Sequence, residues 1–479
     1  MSKEGRVFGQ LAVFILLCLS GCFTLDSSKG GGQGVAFTGQ RRLNPASVAL
    51  PPGYSISIVA SGLNYPTGVC FDDQGEIYLI ESGGPNRLPR LLHLHADSPP
   101  DTIASGESAV WNGVAFDHGN FYVSALGADG VGRILKITKA GAITVLADHL
   151  PGLGESHPTG PIISGDYLYF GESSATNSGI AGLENASGPN RPFHDIPAAD
   201  IKLSGQNVQT PDPASLDGTP AVTGPYSGFG QAAAPGQIVA GQVPCTGGVM
   251  RIPLAGGPPE LVAWGLRDPA GLAFAADGTL FVTDQMYEDR GSRPVAGCGD
   301  LLWSLKTGLW YGWPDFFGTL PISNYRQFAP VGEPPPRPLL AEYPNQPPAP
   351  AAVLSLHAGA AGFDFSRNPS FGHPGEAFIA EFGDTSPLAG KLLAPVGFQV
   401  LRVDPATGVS HVFAVNNSDD TGPASKLGGG GLERPIAARF NPAGDALYVV
   451  DYGVVTVDQR LEPRPQTGVL WKITRKAAP

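Results

Sequence analysis

The feature that most limits the fold of this 479-residue chain is a phrase that returns six times along it. It runs roughly Pro-x-Gly-hydrophobic-x-Phe, then a Gly-containing turn, then a hydrophobic-Tyr-hydrophobic run that ends on an acid. The copies are YPTGVCFDDQGEIYLIESG from Tyr65, VWNGVAFDHGNFYVSALG from Val110, HPTGPIISGDYLYFGES from His157, RDPAGLAFAADGTLFVTDQ from Arg267, AGFDFSRNPSFGHPGEAFIAEFGD from Ala361 and RPIAARFNPAGDALYVVDYG from Arg434. Each reads as two strands around a tight turn, because apolar residues alternate on both sides of a Gly-rich corner. A second strand pair follows most copies, as in GRILKITKAGAITVLA and FQVLRVDPATGVSHVFAV. A four-stranded unit of this kind cannot bury both faces alone, so repetition points to a closed ring. The expected fold is all-β, a six-bladed β-propeller of four-stranded antiparallel blades with long inter-blade loops; the competing arrangement is a pair of β-sandwiches.

The 66 Gly and 47 Pro, with no long segment of helical period, fit a chain of short strands and turns. Turn-rich sequence is concentrated in two places, from Gly179 to Gly247 and from Tyr287 through Pro350. Long insertions are tolerated thermodynamically, and binding sites on rigid scaffolds are built from such loops. A site near the third and fourth copies is therefore expected.

The first residues, MSKEGRVFGQLAVFILLCLSGC, place Lys3 and Arg6 before an apolar run from Leu11 to Leu19. That is the layout of an export signal, and the run is too short to span a bilayer. Its Leu19-Ser20-Gly21-Cys22 ending matches the bacterial lipobox, with Cys22 as the acylated mature N-terminus and an ordinary cleaved signal as the alternative. Residues 1–21 are read as signal peptide, 22–42 as a Gly/Ser-rich flexible tether and 43–479 as the propeller. The lipid would be the membrane contact, and Phe23 after the Cys suggests the outer membrane. A net charge of −12 argues against a nucleic-acid partner. Cys70 sits in an apolar strand pattern and is expected as a buried thiol, whereas Cys245 and Cys298 lie in Gly/Pro-rich loops and are the candidate disulfide pair in an oxidising compartment.

The segments GLGESHPTGPIISGDYLYFGESSATNSG, GQVPCTGGVMRIPLAGGPPELVAWGLRDPAGLAFAADGTLFVTDQ, GLWYGWPDF and LERPIAARFNPAGDALYVVDYGV resemble the glucose/sorbosone dehydrogenase family of six-bladed propellers, over about Leu50 to Thr474. The resemblance implies oxidation of a sugar or aldose at the cell envelope, with pyrroloquinoline quinone (PQQ) and Ca²⁺ over the channel and an external electron acceptor. It makes His157 the base that takes the hydroxyl proton, a task imidazole suits near neutrality. Arg267 would stabilise negative charge on the reduced quinone. Asp268 stands where the family has Asn, a departure that counts against an anionic cofactor. Gln285 precedes the family's Ca²⁺ turn, in which the backbone carbonyls of Met286 and Tyr287 replace those of a Gly-Pro pair. Asp300 stands at the head of a partly kept motif, and Arg434 and Lys391 are the cations assigned to the cofactor's carboxylates.

Other readings stay open on the residues themselves. A non-catalytic propeller binding a glycan or a protein is compatible with the lost family residues, and fold alone does not decide. Glu81, Glu172, Asp284, Glu381 and Asp451 end their hairpins at equivalent points; they either cap backbone N–H groups or converge as ligands of a metal-dependent lactone hydrolase. The aromatic run WYGWPDFFG from Trp310 is either a sugar platform or a packed loop.

Overall fold

The computed structural model describes residues 30, 37, 39–84, 87–107, 109–183, 193–457 and 460–476. The signal peptide, Cys22 and most of the tether lie outside the described residues. All six hairpins form, and each carries two further strands to make an antiparallel blade. Blade 1 comprises Pro66–Phe71, Ile77–Glu81, Arg90–Leu94 and Asp101–Ser105; blade 2 comprises Ala109–Asp117, Asn120–Gly127, Gly132–Thr138 and Ile143–Leu150. Blade 3 begins with Pro158–Ser164 and Tyr167–Glu172 and resumes at Gly248–Pro253 and Glu260–Trp264. Blade 4 comprises Pro269–Phe274, Leu280–Asp284, Gly299–Ser304 and Ala352–Leu356, and blade 5 comprises Ala360–Phe365, Ala377–Glu381, Gln399–Val403 and Ser410–Asn416. Blade 6 takes Pro435–Phe440, Ala446–Asp451 and Gly468–Arg475 from the end of the chain and its outer strand, Tyr54–Leu63, from the beginning.

The innermost strands touch in the cycle 1-2-3-4-5-6-1, which closes the ring. The glycine of the repeated phrase explains how they come so close. A Cβ on Gly113 would lie 1.5 Å from the carbonyl oxygen of Gly160 in the next blade, and one on Gly271 would lie 2.4 Å from that of Ala361. No side chain fits at either position, so these two copies need Gly for packing between blades; the sixth copy carries Ala437 at the same place. Apolar faces fill the wedges between neighbours. Phe371, Phe378, Phe413, Phe440 and Trp471 form one such wedge between blades 5 and 6, and each fully buried aromatic contributes about 1.5–3 kcal/mol.

The chain's beginning is stapled to this closure. Val48–Ala49 adds a fifth strand to blade 5. Arg41 bonds Asp451 Oδ2 at 2.5 Å, the Thr467 carbonyl at 2.6 Å and the Gly431 carbonyl at 2.7 Å.

The insertions of blades 3 and 4 share one apolar cluster, in which Ile201, Leu203 and Tyr226 pack with Trp310, Trp313 and Phe316. The aromatic run is thus a buried inter-blade loop; Trp310 and Trp313 are 0% and 2% exposed and offer no sugar platform. The expected Cys245–Cys298 bridge does not form, and both are free, buried thiols. Each is packed separately into the same cluster: Cys245 lies under Gly248, and Cys298 Sγ donates to the Ala296 carbonyl at 3.6 Å. Burial pushes the Cys245 thiol up to about 12 and those of Cys70 and Cys298 above their ordinary value, so none is a nucleophile near neutrality.

Candidate active site

In each blade the start of the first strand lies beside the end of the second, as the pairs Pro158↔Glu172 and Pro269↔Asp284 show. His157, Arg267, Asp268, Gln285 and Met286 flank these pairs and so gather at one end of the ring. They line a cavity of about 310 Å³, together with Thr67 and Asn112 from blades 1 and 2, Asp300 and His357 from blade 4, Thr385 from blade 5 and Arg439 from blade 6.

The acids that end the hairpins set up this geometry from behind. Asp284 Oδ1 accepts the N–H groups of Arg267 (3.1 Å) and Asp268 (2.8 Å), and its other oxygen accepts Trp303 Nε1 (3.2 Å). Asp451 repeats the pattern with Glu433, Arg434 and Trp471. Glu81 caps Asn64 N at 2.7 Å, Glu172 accepts the Ser156 hydroxyl at 2.8 Å, and Glu381 accepts Gln399 Nε2 at 2.7 Å. None of the five lines the cavity. Burial raises Asp284 to about 7, Glu381 to about 7 and Glu172 well above the carboxylate range. Among the described residues, no group of three or more His, Cys, Asp or Glu comes together as a metal set. The capping role holds for Glu81, Asp284 and Asp451, and the five acids do not converge as a hydrolase would require.

His157 is half-buried, and its Nδ1 lies 2.9 Å from the carbonyl oxygen of Glu155. A carbonyl only accepts, so the proton of a neutral imidazole sits on Nδ1 and the lone pair on Nε2. Arg267, 5% exposed, donates from Nη2 to Glu155 Oε2 (3.0 Å) and Glu288 Oε2 (3.4 Å) and from Nη1 to the Gln285 carbonyl (3.4 Å). Its Nε is buried without a partner. Burial opposes the Arg267 charge, but Glu288, Glu155, Asp268 and Asp284 outweigh it and raise its pKa. Asp268 accepts the Ser173 hydroxyl at 2.7 Å, and Gln285 Nε2 donates to the Ala360 carbonyl at 3.2 Å. Asp300 accepts the N–H groups of Met286 (3.3 Å) and Ala360 (2.8 Å), and burial raises it to about 7.

Two assignments change. Arg434 is fully buried and does not line the cavity; it donates to the carbonyls of Phe382, Gly383 and Asp384 between the rings of Phe382 and Phe398. Its cation therefore braces a loop whose Phe382 and Gly383 do line the cavity. Lys391 is exposed on the outer part of that same loop and does not reach the lining. Tyr287 has its ring in the insertion core, its hydroxyl bonded to the Phe316 carbonyl at 2.9 Å, while Met286 faces the cavity. Glu155, Glu288, Arg290, Ser173 and His357 belong to the site and carry no signal in the repeats; Glu155 and Glu288 sit two and three residues from His157 and Gln285, and proximity along the chain is the hint they offer.

No family model matches the sequence, and no curated protein matches it. Solved structures do. A carbohydrate-active enzyme of family AA12 from Trichoderma reesei superposes with a TM-score of 0.56 at 14% identity, covering 92% of this chain and 100% of that one. The holo form of the pyranose dehydrogenase PQQ domain from Coprinopsis cinerea gives 0.55 at 11% identity, covering 91% and 98%. The PQQ-bound aldose sugar dehydrogenase of Streptomyces coelicolor gives 0.50 at 16% identity, covering 89% and 99%. At these identities the likeness shows the fold: a six-bladed propeller, closed by its N-terminal strand, with the architecture these sugar oxidoreductases use.

Proposed function

We propose that the protein oxidises a hydroxyl group of a sugar or aldose in the channel-mouth cavity, with His157 as general base. The observation that carries this reading is the His157–Glu155 hydrogen bond, which in the neutral imidazole assigns the proton to Nδ1 and the lone pair to Nε2 on a residue lining the cavity. Nε2 takes the proton as the hydroxyl becomes a carbonyl, while the C–H bond gives up a hydride. A quinone held in the cavity would supply the two-electron acceptor for that hydride, with an external acceptor as the final sink. Positioned proton transfer of this sort contributes about 10²–10⁴-fold.

The residues fit the reacting edge of such a quinone. Arg267 carries an unpartnered buried Nε in the cavity wall, a donor in search of an oxygen. The cofactor's carboxylates are matched less well, because Arg267 and Arg439 are balanced in the lining by Asp268 and Glu288. Arg267 would therefore be the residue that holds PQQ, and the backbone carbonyls of Met286 and Tyr287 those that hold Ca²⁺. That balance of charge also favours a second reading, in which the cavity binds an uncharged glycan without chemistry.

The signal sequence and lipobox support export and a lipid anchor at Cys22, with the cavity working at the envelope. Among the described residues no helix is long and apolar enough to cross a membrane. Mass spectrometry of the mature N-terminus, with and without Cys22→Ser, tests the anchor.

The test of function is titration of the full-length protein with PQQ and Ca²⁺, followed by dye reduction with a panel of aldoses. Saturable quinone binding with sugar-dependent reduction that disappears in His157→Ala supports the dehydrogenase. Glycan binding without PQQ binding at micromolar concentration replaces it with the binding module.

A further inference from the structure

Two acids and two guanidiniums close a ring beside the base. Glu155 Oε2 accepts Arg267 Nη2 at 3.0 Å, Glu155 Oε1 pairs with Arg290 Nη2 at 2.8 Å, Arg290 Nε donates to Glu288 Oε2, and that oxygen returns to Arg267 Nη2 at 3.4 Å. The side chains are 6% exposed at Arg267 and 21–26% at the other three, so the ring is screened far less than a surface pair. It joins three segments: the turn before blade 3 that carries His157, the turn before blade 4 that carries Arg267, and the insertion after Asp284. Asn177 fixes the insertion side, its Oδ1 accepting Glu288 N at 2.9 Å and its Nδ2 donating to the carbonyls of Glu288 (2.8 Å) and Arg290 (3.2 Å).

Glu155 is the residue on which two separate constraints meet. Its carboxylate holds Arg267 and Arg290, while its carbonyl holds the Nδ1–H of His157. Whatever fixes the Glu155 side chain also fixes the peptide that sets the imidazole's tautomer.

We propose that Glu155 and Arg290 are positioning residues for the oxidation, holding the His157 imidazole and the Arg267 guanidinium in register across the cavity. The inference rests on the dehydrogenase reading of this site. Neither residue is given the role of touching substrate. They act through His157 and Arg267, and small misplacements of such groups cost rate steeply.

Glu155→Gln, Arg290→Met and the double variant test this in the full-length protein, with Glu342→Gln, which breaks the exposed Lys202–Glu342 pair, as control. Each single change is expected to lower kcat by about tenfold or more while KM moves less than about threefold, and the double variant to be no worse than the more damaged single. Arg290→Lys should recover most of the loss. The readout independent of turnover is the ¹⁵N-edited resonance of the His157 Nδ1–H, expected sharp in the wild type and in Glu342→Gln and broadened by exchange in the two ring variants. An unchanged resonance, strictly additive effects on kcat, or a loss confined to KM overturns the proposal. If the wild type oxidises no aldose, the dehydrogenase reading fails, and the imidazole resonance still decides whether the ring positions His157.

Discussion

Blades 1 and 4 start from the same hairpin and end differently. In blade 1 the terminal Glu81 caps Asn64 and pairs with Arg90, whose side chain is 39% exposed at the rim. In blade 4 the equivalent Asp284 is sealed behind Arg267 and Asp268, and the insertion after it brings Glu288 and Arg290 to Arg267, held in place by Asn177 from the blade 3 side. One scaffold therefore yields a local cap where connections are short and a four-charge ring where they are long. Chemistry collects where a buried guanidinium has to find its partners in loops from elsewhere in the chain.

The comparison can be broken most severely at the base. His157→Ala should lower aldose-dependent dye reduction by about 10³-fold with quinone affinity within about threefold of wild type; retention of turnover would move the base elsewhere. Next is the scaffold common to every blade. Gly113→Ala drives a methyl into the Gly160 carbonyl, and chemical denaturation should show a loss of about 3 kcal/mol; a smaller loss would mean that neighbouring blades can slide apart.

A smaller, pH-dependent effect distinguishes buried from exposed acids. Glu381 keeps its proton in the folded state up to about 7, because burial outweighs its bond from Gln399. Between about pH 4.5 and 7 the unfolded chain thus binds fewer protons than the folded one, and stability falls as pH rises through that window. Glu381→Gln should remove this slope and, relative to its offset at pH 4, gain about 3 kcal/mol over wild type at pH 8, measured by urea unfolding at both pH values. The smallest effect is expected at the rim of blade 1, where Arg90→Ala should cost about 1 kcal/mol, because the Arg90 head is part-solvated and the buried Glu81 keeps its bonds from Asn64.

Much of the fold was legible because every hairpin carries its own turn and its own alternation, and the repeats align by eye. The glycine shared by five of the phrases was visible as a pattern, although its reason at Gly113 and Gly271, carbonyl contact with the next blade, appears only when two copies stand side by side. His157, Arg267, Asp268 and Gln285 were found as cavity residues through the family resemblance. Arg434 was misplaced because a cation in a matching motif reads the same whether it faces a cofactor or caps three carbonyls one layer behind. Cys245 and Cys298 looked like a loop pair, yet the insertions fold inward and bury each thiol among apolar side chains.

What the sequence by itself determined is local: six hairpins, their polarity and the acid that ends five of them, since strand alternation and turn chemistry act over a few residues. Which cations face the cavity, which thiols stay apart, and the closure of Glu155, Arg267, Glu288 and Arg290 into one ring were decided by the tertiary structure. Glu155 and Arg290 are separated by more than a hundred residues. An ion pair depends on distance in space, and only ring closure and the packing of two insertions set that distance.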